Sequence, residues 1–178
     1  TAPPLPGTEG RLFMSNIGKA FEKGKAFIVF ITCGDPDLET TAAAVRAAAQ
    51  NGASLIELGI PFSDPVAESP VIQESAFRAL KAGITSDRIF AFVKELRRDI
   101  TIPMIFVTYS NVVFSYGADS FMAACREAGI VGLMLQDLPY EERGEFLESG
   151  QRHGVDLISM ATPASEDRLD MIAGKAEG

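Results

Sequence analysis

Apolar residues in this chain fall into two kinds of segment that alternate along its length. The first kind is short and nearly unbroken, at residues 26–32 (Ala-Phe-Ile-Val-Phe-Ile-Thr), 55–59, 104–108, 130–135 and 155–160. Runs of strand length without alternation suit strands covered on both faces, as in a parallel sheet. In the second kind the apolar positions recur at helical spacing: Leu38, Ala42, Val45 and Ala49; Ile72, Ala76, Ala79 and Leu80; Ile89, Phe92, Val93 and Leu96; Phe121, Ala124, Cys125 and Ala128. Phe146 with Leu147, and Leu169 with Ile172 and Ala173, mark two more helices, the first running from Pro139 to about His153 and the last to the chain end.

The punctuation agrees with this division. Gly52, Gly83 and Gly129 follow helical segments as stops. Ser69-Pro70 predicts a helix start with a capping hydroxyl and a proline at the first helical position, and Thr85 opens another. Lys94, Glu95, Arg97 and Arg98 fall mostly away from their helix's apolar face, and residues 16–24 predict a short helix. Strand and helix alternate five times, which calls for right-handed crossovers and a parallel sheet. No glycine-rich dinucleotide fingerprint and no P-loop is present. Polar residues stand instead where strands end, at Thr32, Glu57, Thr108 and Asp137, which is the habit of a β/α barrel whose site gathers at the C-terminal face of the sheet.

Chemistry is concentrated in Leu55–Pro70. Glu57 interrupts an apolar strand, where a carboxylate costs several kcal/mol unless it is paired, hydrogen-bonded or neutral. Glu68 follows after a loop shaped by Gly59, Pro61 and Pro65 with Ser63 and Asp64. Two carboxylates at the ends of one loop can face each other across a pocket. His153, the one histidine, sits near a predicted helix C-terminus and leaves no Cys/His cluster of metal-ligand spacing, so no metal site of that kind is expected. Cys33 and Cys125 read as packed thiols. Asp137 can cap the helix that follows it.

Composition narrows the class. The 178 residues are 47% hydrophobic and 22% charged, ordinary for a globular domain with a real core, and the net charge of −8 argues against nucleic acid. No apolar run has the length of a membrane span, and no basic segment followed by an apolar stretch marks a secretory signal, so a cytoplasmic protein without a membrane partner is expected. Residues 1–13 carry three prolines and two glycines without periodicity and read as a leader or expression remnant before Met14; residues 14–178 read as the β/α domain.

Residues 56–68, Ile-Glu-Leu-Gly-Ile-Pro-Phe-Ser-Asp-Pro-Val-Ala-Glu, closely resemble the signature of the tryptophan synthase alpha subunit family. Phe30–Pro36, Arg78–Gly83, Thr108–Asn111 and Asp137–Pro139 extend the resemblance over the chain from about Met14. The resemblance implies an eight-stranded TIM-type (β/α)8 barrel, of which this sequence holds the first five β/α units. A chain that is part of a longer protein is therefore expected. It also implies retro-aldol cleavage of indole-3-glycerol phosphate to indole and glyceraldehyde 3-phosphate without cofactor or metal, and a beta-subunit partner in an alpha2-beta2 heterotetramer. On the matching positions, Glu57 is the general acid/base, Glu68 faces the indole nitrogen, Phe30, Thr32, Val107 and Tyr109 bind substrate, and Pro61 and Asp64 lie in the partner-facing loop. For Asp137 it implies a role in subunit communication. The family usually has Asp-Gly where this chain has Glu68-Ser69. The extra methylene moves the carboxylate by about 1 Å, a displacement that can cost roughly a hundredfold in rate. An alternative reading is thus an impaired alpha-like module that binds and modulates a beta subunit; a different phosphate-binding barrel enzyme fits the fold but not the signature.

Overall fold

The computed structural model describes residues 17–22, 24–174 and 176. The proposed leader, Met14 and Asn16 lie outside the described residues, as does Lys23. Among the described residues five strands form one parallel sheet in sequence order: β1 (Ile28–Thr32), β2 (Leu55–Gly59), β3 (Met104–Thr108), β4 (Gly132–Leu135) and β5 (Asp156–Ile158). The intervening helices are α1 (Leu38–Gln50), α2 (Pro70–Lys81), α3 (Ser86–Leu96), α4 (Ser110–Tyr116), α5 (Ala118–Ala128), α6 (Gly144–His153) and, after β5, α7 (Leu169–Ala173). Strands laid down in sequence order, each returned by a helix, are the winding of a β/α barrel.

Alternation along the strands gives the sheet two unlike faces. Toward the helices point Ile56 and Leu58 of β2, Met104 and Phe106 of β3 and Leu133 of β4, which join Val45, Ile89, Val93, Phe121 and Cys125 in one buried core. Phe90, Phe106, Phe121 and Tyr116 meet there edge to face or tilted, with ring centroids 5.2 to 6.4 Å apart. The opposite, concave face carries Phe30 and Thr32, Leu55, Glu57 and Gly59, Ile105 and Val107, and Gly132. Its N-terminal end is filled by the 3-10 turn Gly18–Phe21, whose Ile17 and Ala20 pack on Leu55 and Ile105. Gly132 is required for that plug, since a Cβ there would stand 2.8 Å from Ile17 Cδ1 and 2.9 Å from Ile105 Cγ2.

The departures from the periodicity are local. The turn Gly18–Phe21 is all that forms of the short helix predicted at 16–24 within the described residues. Ser69 takes the N-cap position of α2 with proline following, but its hydroxyl caps nothing; Gln73 Nε2 donates instead to Glu68 O at 3.0 Å. Helix α4 was not predicted, because seven residues give too short a window for a period of 3.6. The helix expected from Pro139 is broken into a 3-10 turn at Tyr140–Glu142 and α6, and the last helix stops at Ala173 with Gly174 as its cap. Arg97, expected to face away from the core, donates from Nε to Gly129 O at 2.9 Å and from Nη1 to Ile102 O at 2.7 Å. The carbonyl at the α5 C-cap and one in the loop between α3 and β3 are thereby satisfied by one side chain.

Candidate active site

The centre of the site is the C-terminal end of β2. Glu57 lies on the concave face, in register with Phe30 of β1 and Ile105 of β3. Its carboxyl is half-buried, no described residue donates a hydrogen bond to it, and burial alone raises its pKa above the ordinary carboxylate range. Burial of this kind favours the protonated form, from which a carboxyl can donate. Two residues on, Gly59 makes room for a neighbour: a Cβ there would fall 2.6 Å from Phe30 Cζ, so the ring of Phe30 lies directly over the β2 backbone. Gly59 is the last residue of β2, as its segment predicts, and in the fold it also admits an aromatic ring.

Above that ring opens a cleft of about 320 Å3, its mouth included. The space enclosed within it is about 20 Å3, room for a water molecule. Phe30, Thr32, Pro61, Glu68, Val107 and Tyr109, six of the eight residues singled out from sequence, line it. Glu57 does not; it sits one pleat deeper on the same face. Asp64 also lies outside, exposed in the loop, where Ser63 Oγ donates to its Oδ2 at 2.5 Å. The two carboxylates therefore do not meet across the cleft: Glu68 borders it and Glu57 lies beneath its floor.

Sequence reasoning missed part of the wall. Ile72 and Ala76 of α2, read as core positions, face the cleft, because α2 covers the mouth as well as packing against the barrel. Phe62 was taken only as part of the signature; its ring lies 5.2 Å from that of Tyr109. No periodic signal distinguishes a helix face that lines a cleft from one that lines a core.

Hydrogen bonds anchor the loops around the cleft. Asp35, after β1, accepts from Arg78 Nε and Nη2 at 2.8 and 2.7 Å and from Ser75 Oγ at 2.6 Å, tying the first loop to α2. The Arg78 guanidinium, then the Ser75 hydroxyl, hold its pKa below the usual value. Thr108 Oγ1 donates to Ile60 O at 3.3 Å, and Ala67 N–H donates to the Tyr109 hydroxyl at 3.1 Å. Asp137 accepts from Ser110 N–H at 2.7 Å and Ser110 Oγ at 2.8 Å, so it caps α4, which precedes it, rather than the helix that follows. Cys33 and Cys125 are buried free thiols; burial pushes Cys33 up to about 12 and raises Cys125 as well, which keeps both protonated.

A second cleft of about 340 Å3 opens beside the ends of β4 and β5, lined by Leu138, Tyr140, Arg143, Ser159 and Ile172 among others. It holds no carboxylate; Arg143 stacks 4.0 Å over the Tyr140 ring and donates to Ser159 Oγ at 3.2 Å, while the buried Tyr140 hydroxyl has no hydrogen-bond partner among the described residues. The acid chemistry belongs to the first cleft. Among the described residues, no three His, Cys, Asp or Glu side chains are grouped to hold a metal ion, and no helix is long and apolar enough to cross a membrane.

With this geometry in hand, comparison with known proteins is informative. Residues 18–178 match the family described as tryptophan synthase alpha chain. The chain is 49% identical over 154 residues to the tryptophan synthase alpha chain of Alkaliphilus metalliredigens (strain QYMF), covering 86% of this chain and 58% of that one. Among solved structures it superposes on a tryptophan synthase alpha chain from Legionella pneumophila subsp. pneumophila with a TM-score of 0.86 at 36% identity, covering 93% of this chain and 65% of the other. A chain from the tryptophan synthase a2b2 complex of Pyrococcus furiosus, described in terms of mutual activation, matches with a TM-score of 0.82 at 37% identity, covering 86% and 65%. The chain thus spans 58 to 65% of the length of these relatives.

Proposed function

Because this chain belongs to the tryptophan synthase alpha chain family, we propose that its protein is a carbon–carbon lyase that cleaves indole-3-glycerol phosphate to indole and glyceraldehyde 3-phosphate. The observation that carries the proposal is Glu57: a half-buried carboxyl on the concave face, its pKa raised by burial, below an apolar cleft bordered by a second carboxylate. A retro-aldol cleavage at C3 of an indole needs a proton delivered to that carbon before the bond to the glycerol carbon breaks. The glycerol hydroxyl then loses its proton as the carbonyl forms. Positive charge on the ring nitrogen in between is stabilised by an acceptor for its N–H.

In this assignment Glu57 supplies and retrieves the proton, which its burial equips it to do. Glu68 accepts from the indole N–H. Phe30 and Val107 offer flat apolar contact to the ring system, and Thr32 a hydroxyl at the strand end. The chemistry asks for no metal or organic cofactor. Glu68 borders the cleft despite its extra methylene, so no observation favours the reading in which the chain only binds a partner. A beta-type subunit in an alpha2-beta2 assembly belongs to the same proposal. Its docking surface is the loop with Pro61 and Asp64, beside which Val66 is 80% exposed and Val71 and Phe114 also stand in solvent. A cytoplasmic setting goes with it.

The test is Glu57→Gln in the intact protein, assayed for indole release. Activity is expected to fall to near background while the fold, followed by circular dichroism and affinity for an indole analogue, persists. Near-normal turnover by the variant would sink the proposal.

A further inference from the structure

Tyr109 lines the cleft, yet its hydroxyl is already engaged. It accepts the Ala67 N–H at 3.1 Å, across a sequence separation of 42 residues, and its ring lies against Phe62 at the other end of the same loop. The residue is 3% exposed. The strand just before it grips the loop's beginning, where Ile60 N–H donates to Val107 O at 3.0 Å and Thr108 Oγ1 donates to Ile60 O. The residue just after it is fixed in turn, because Ser110 donates twice to Asp137. A short rigid stretch at the end of β3 thus holds the β2–α2 loop at both ends.

Ala67 immediately precedes Glu68. Between Phe62 and Ala67 the loop contains one proline, Pro65, and the exposed Ser63 and Asp64, with Val66 facing solvent. Two tethers therefore bracket Glu68: the Tyr109 hydroxyl on the Ala67 N–H before it and Gln73 Nε2 of α2 on its own carbonyl. Glu68 begins its path to the cleft from an amide whose position Tyr109 sets.

We infer that Tyr109 is a positioning residue: its hydroxyl, by accepting the Ala67 N–H, sets where the Glu68 carboxylate stands. This rests on the lyase reading for its effect on turnover, while the tether itself stands independently of it. The role differs from the substrate contact that the family resemblance implies for Tyr109. It also says why a lengthened side chain at residue 68 can be accommodated, since reach is set by the anchor of the loop as much as by the side chain.

Tyr109→Phe keeps the ring on Phe62 and removes only the acceptor. In the intact protein, amide hydrogen exchange at Ala67 is expected to quicken about tenfold, the equivalent of one hydrogen bond, while Leu58 and Phe106 amides keep their protection as a check on folding. Indole release is expected to drop about tenfold in kcat with KM changed less than twofold, because misplacement of Glu68 weakens stabilisation of the transition state more than binding. Unchanged exchange at Ala67 would overturn the inference. So would a selective rise in KM with normal kcat, which would make the hydroxyl a direct substrate contact. If neither form releases indole, the lyase reading fails and the exchange at Ala67 alone decides the tether. Should Tyr109→Phe fail to fold, Phe62→Leu, which removes the ring contact and leaves the hydroxyl, is expected to leave the Ala67 exchange within twofold, and a tenfold change there would likewise overturn the assignment.

Discussion

The two faces of the one sheet obey different rules. On the helix-facing side, Ile56, Leu58, Met104, Phe106 and Leu133 are almost wholly removed from water and could exchange with other apolar residues of similar volume. On the concave side the strands carry two carboxyls, Glu57 and Asp156, a hydroxyl and two glycines, and Glu57, Phe30 and Thr32 are only half-buried. The difference teaches that stability and chemistry are divided by strand alternation: successive residues of β2 serve the core and the site in turn. Close packing is demanded outside, whereas inside each unusual residue answers to one neighbour, Gly59 to Phe30 and Gly132 to Ile17.

The comparison is broken most forcefully from the outside. Phe106→Ala empties a fully buried aromatic position that three other aromatic rings surround directly or through one another, and should cost about 3–5 kcal/mol in denaturant unfolding. A loss below about 1 kcal/mol would mean that the outer face is not the tightly packed one. Next in size is Gly59→Ala on the inner face, where the new Cβ must displace the Phe30 ring, with an expected loss of about 1–3 kcal/mol. Combining it with Phe30→Leu should return part of that loss, whereas purely additive losses would show that the ring is not what the glycine serves.

The smallest effect should have the opposite sign. Because burial raises the folded-state pKa of Glu57, the unfolded chain releases that proton at a lower pH than the folded one does. The folded state therefore loses stability as pH rises from the ordinary glutamate value through the raised one. Glu57→Gln should be slightly more stable than the parent above that window and lose the advantage below it, as denaturation across a pH series would read. A variant equally stable or weaker at every pH would mean that Glu57 is not held at a cost. Asp35 supplies the contrast: with its pKa lowered by Arg78, its contribution is present above the ordinary aspartate value and lost as pH falls through the lowered one.

Much of the fold was legible because it follows from periods. β2 and β3 form at their predicted residues, and α1, α2 and α3 begin at the residues their punctuation marks. Where the signal was short it failed: α4 has only seven residues, and the break between Tyr140–Glu142 and α6 has no apolar rhythm to announce it. The site was legible in its membership, since a carboxyl inside an apolar strand and a proline-rich loop after it are local anomalies. Its geometry was not.

The sequence by itself determined the alternation of strands and helices, the identity of the strand that carries the chemistry, and the family to which its signature points. These rest on interactions among residues near in the chain or on the repetition of side-chain types. Only the tertiary structure decided that Glu68 lines the cleft while Glu57 does not, that Asp137 caps α4, that Arg97 joins the α5 C-cap to the loop before β3, and that the Tyr109 hydroxyl accepts from Ala67. Each of these joins groups many residues apart through one hydrogen bond or one van der Waals contact. Such a pairing leaves no period in the sequence, because its energy depends on where distant backbones have been brought and not on what stands next in the chain.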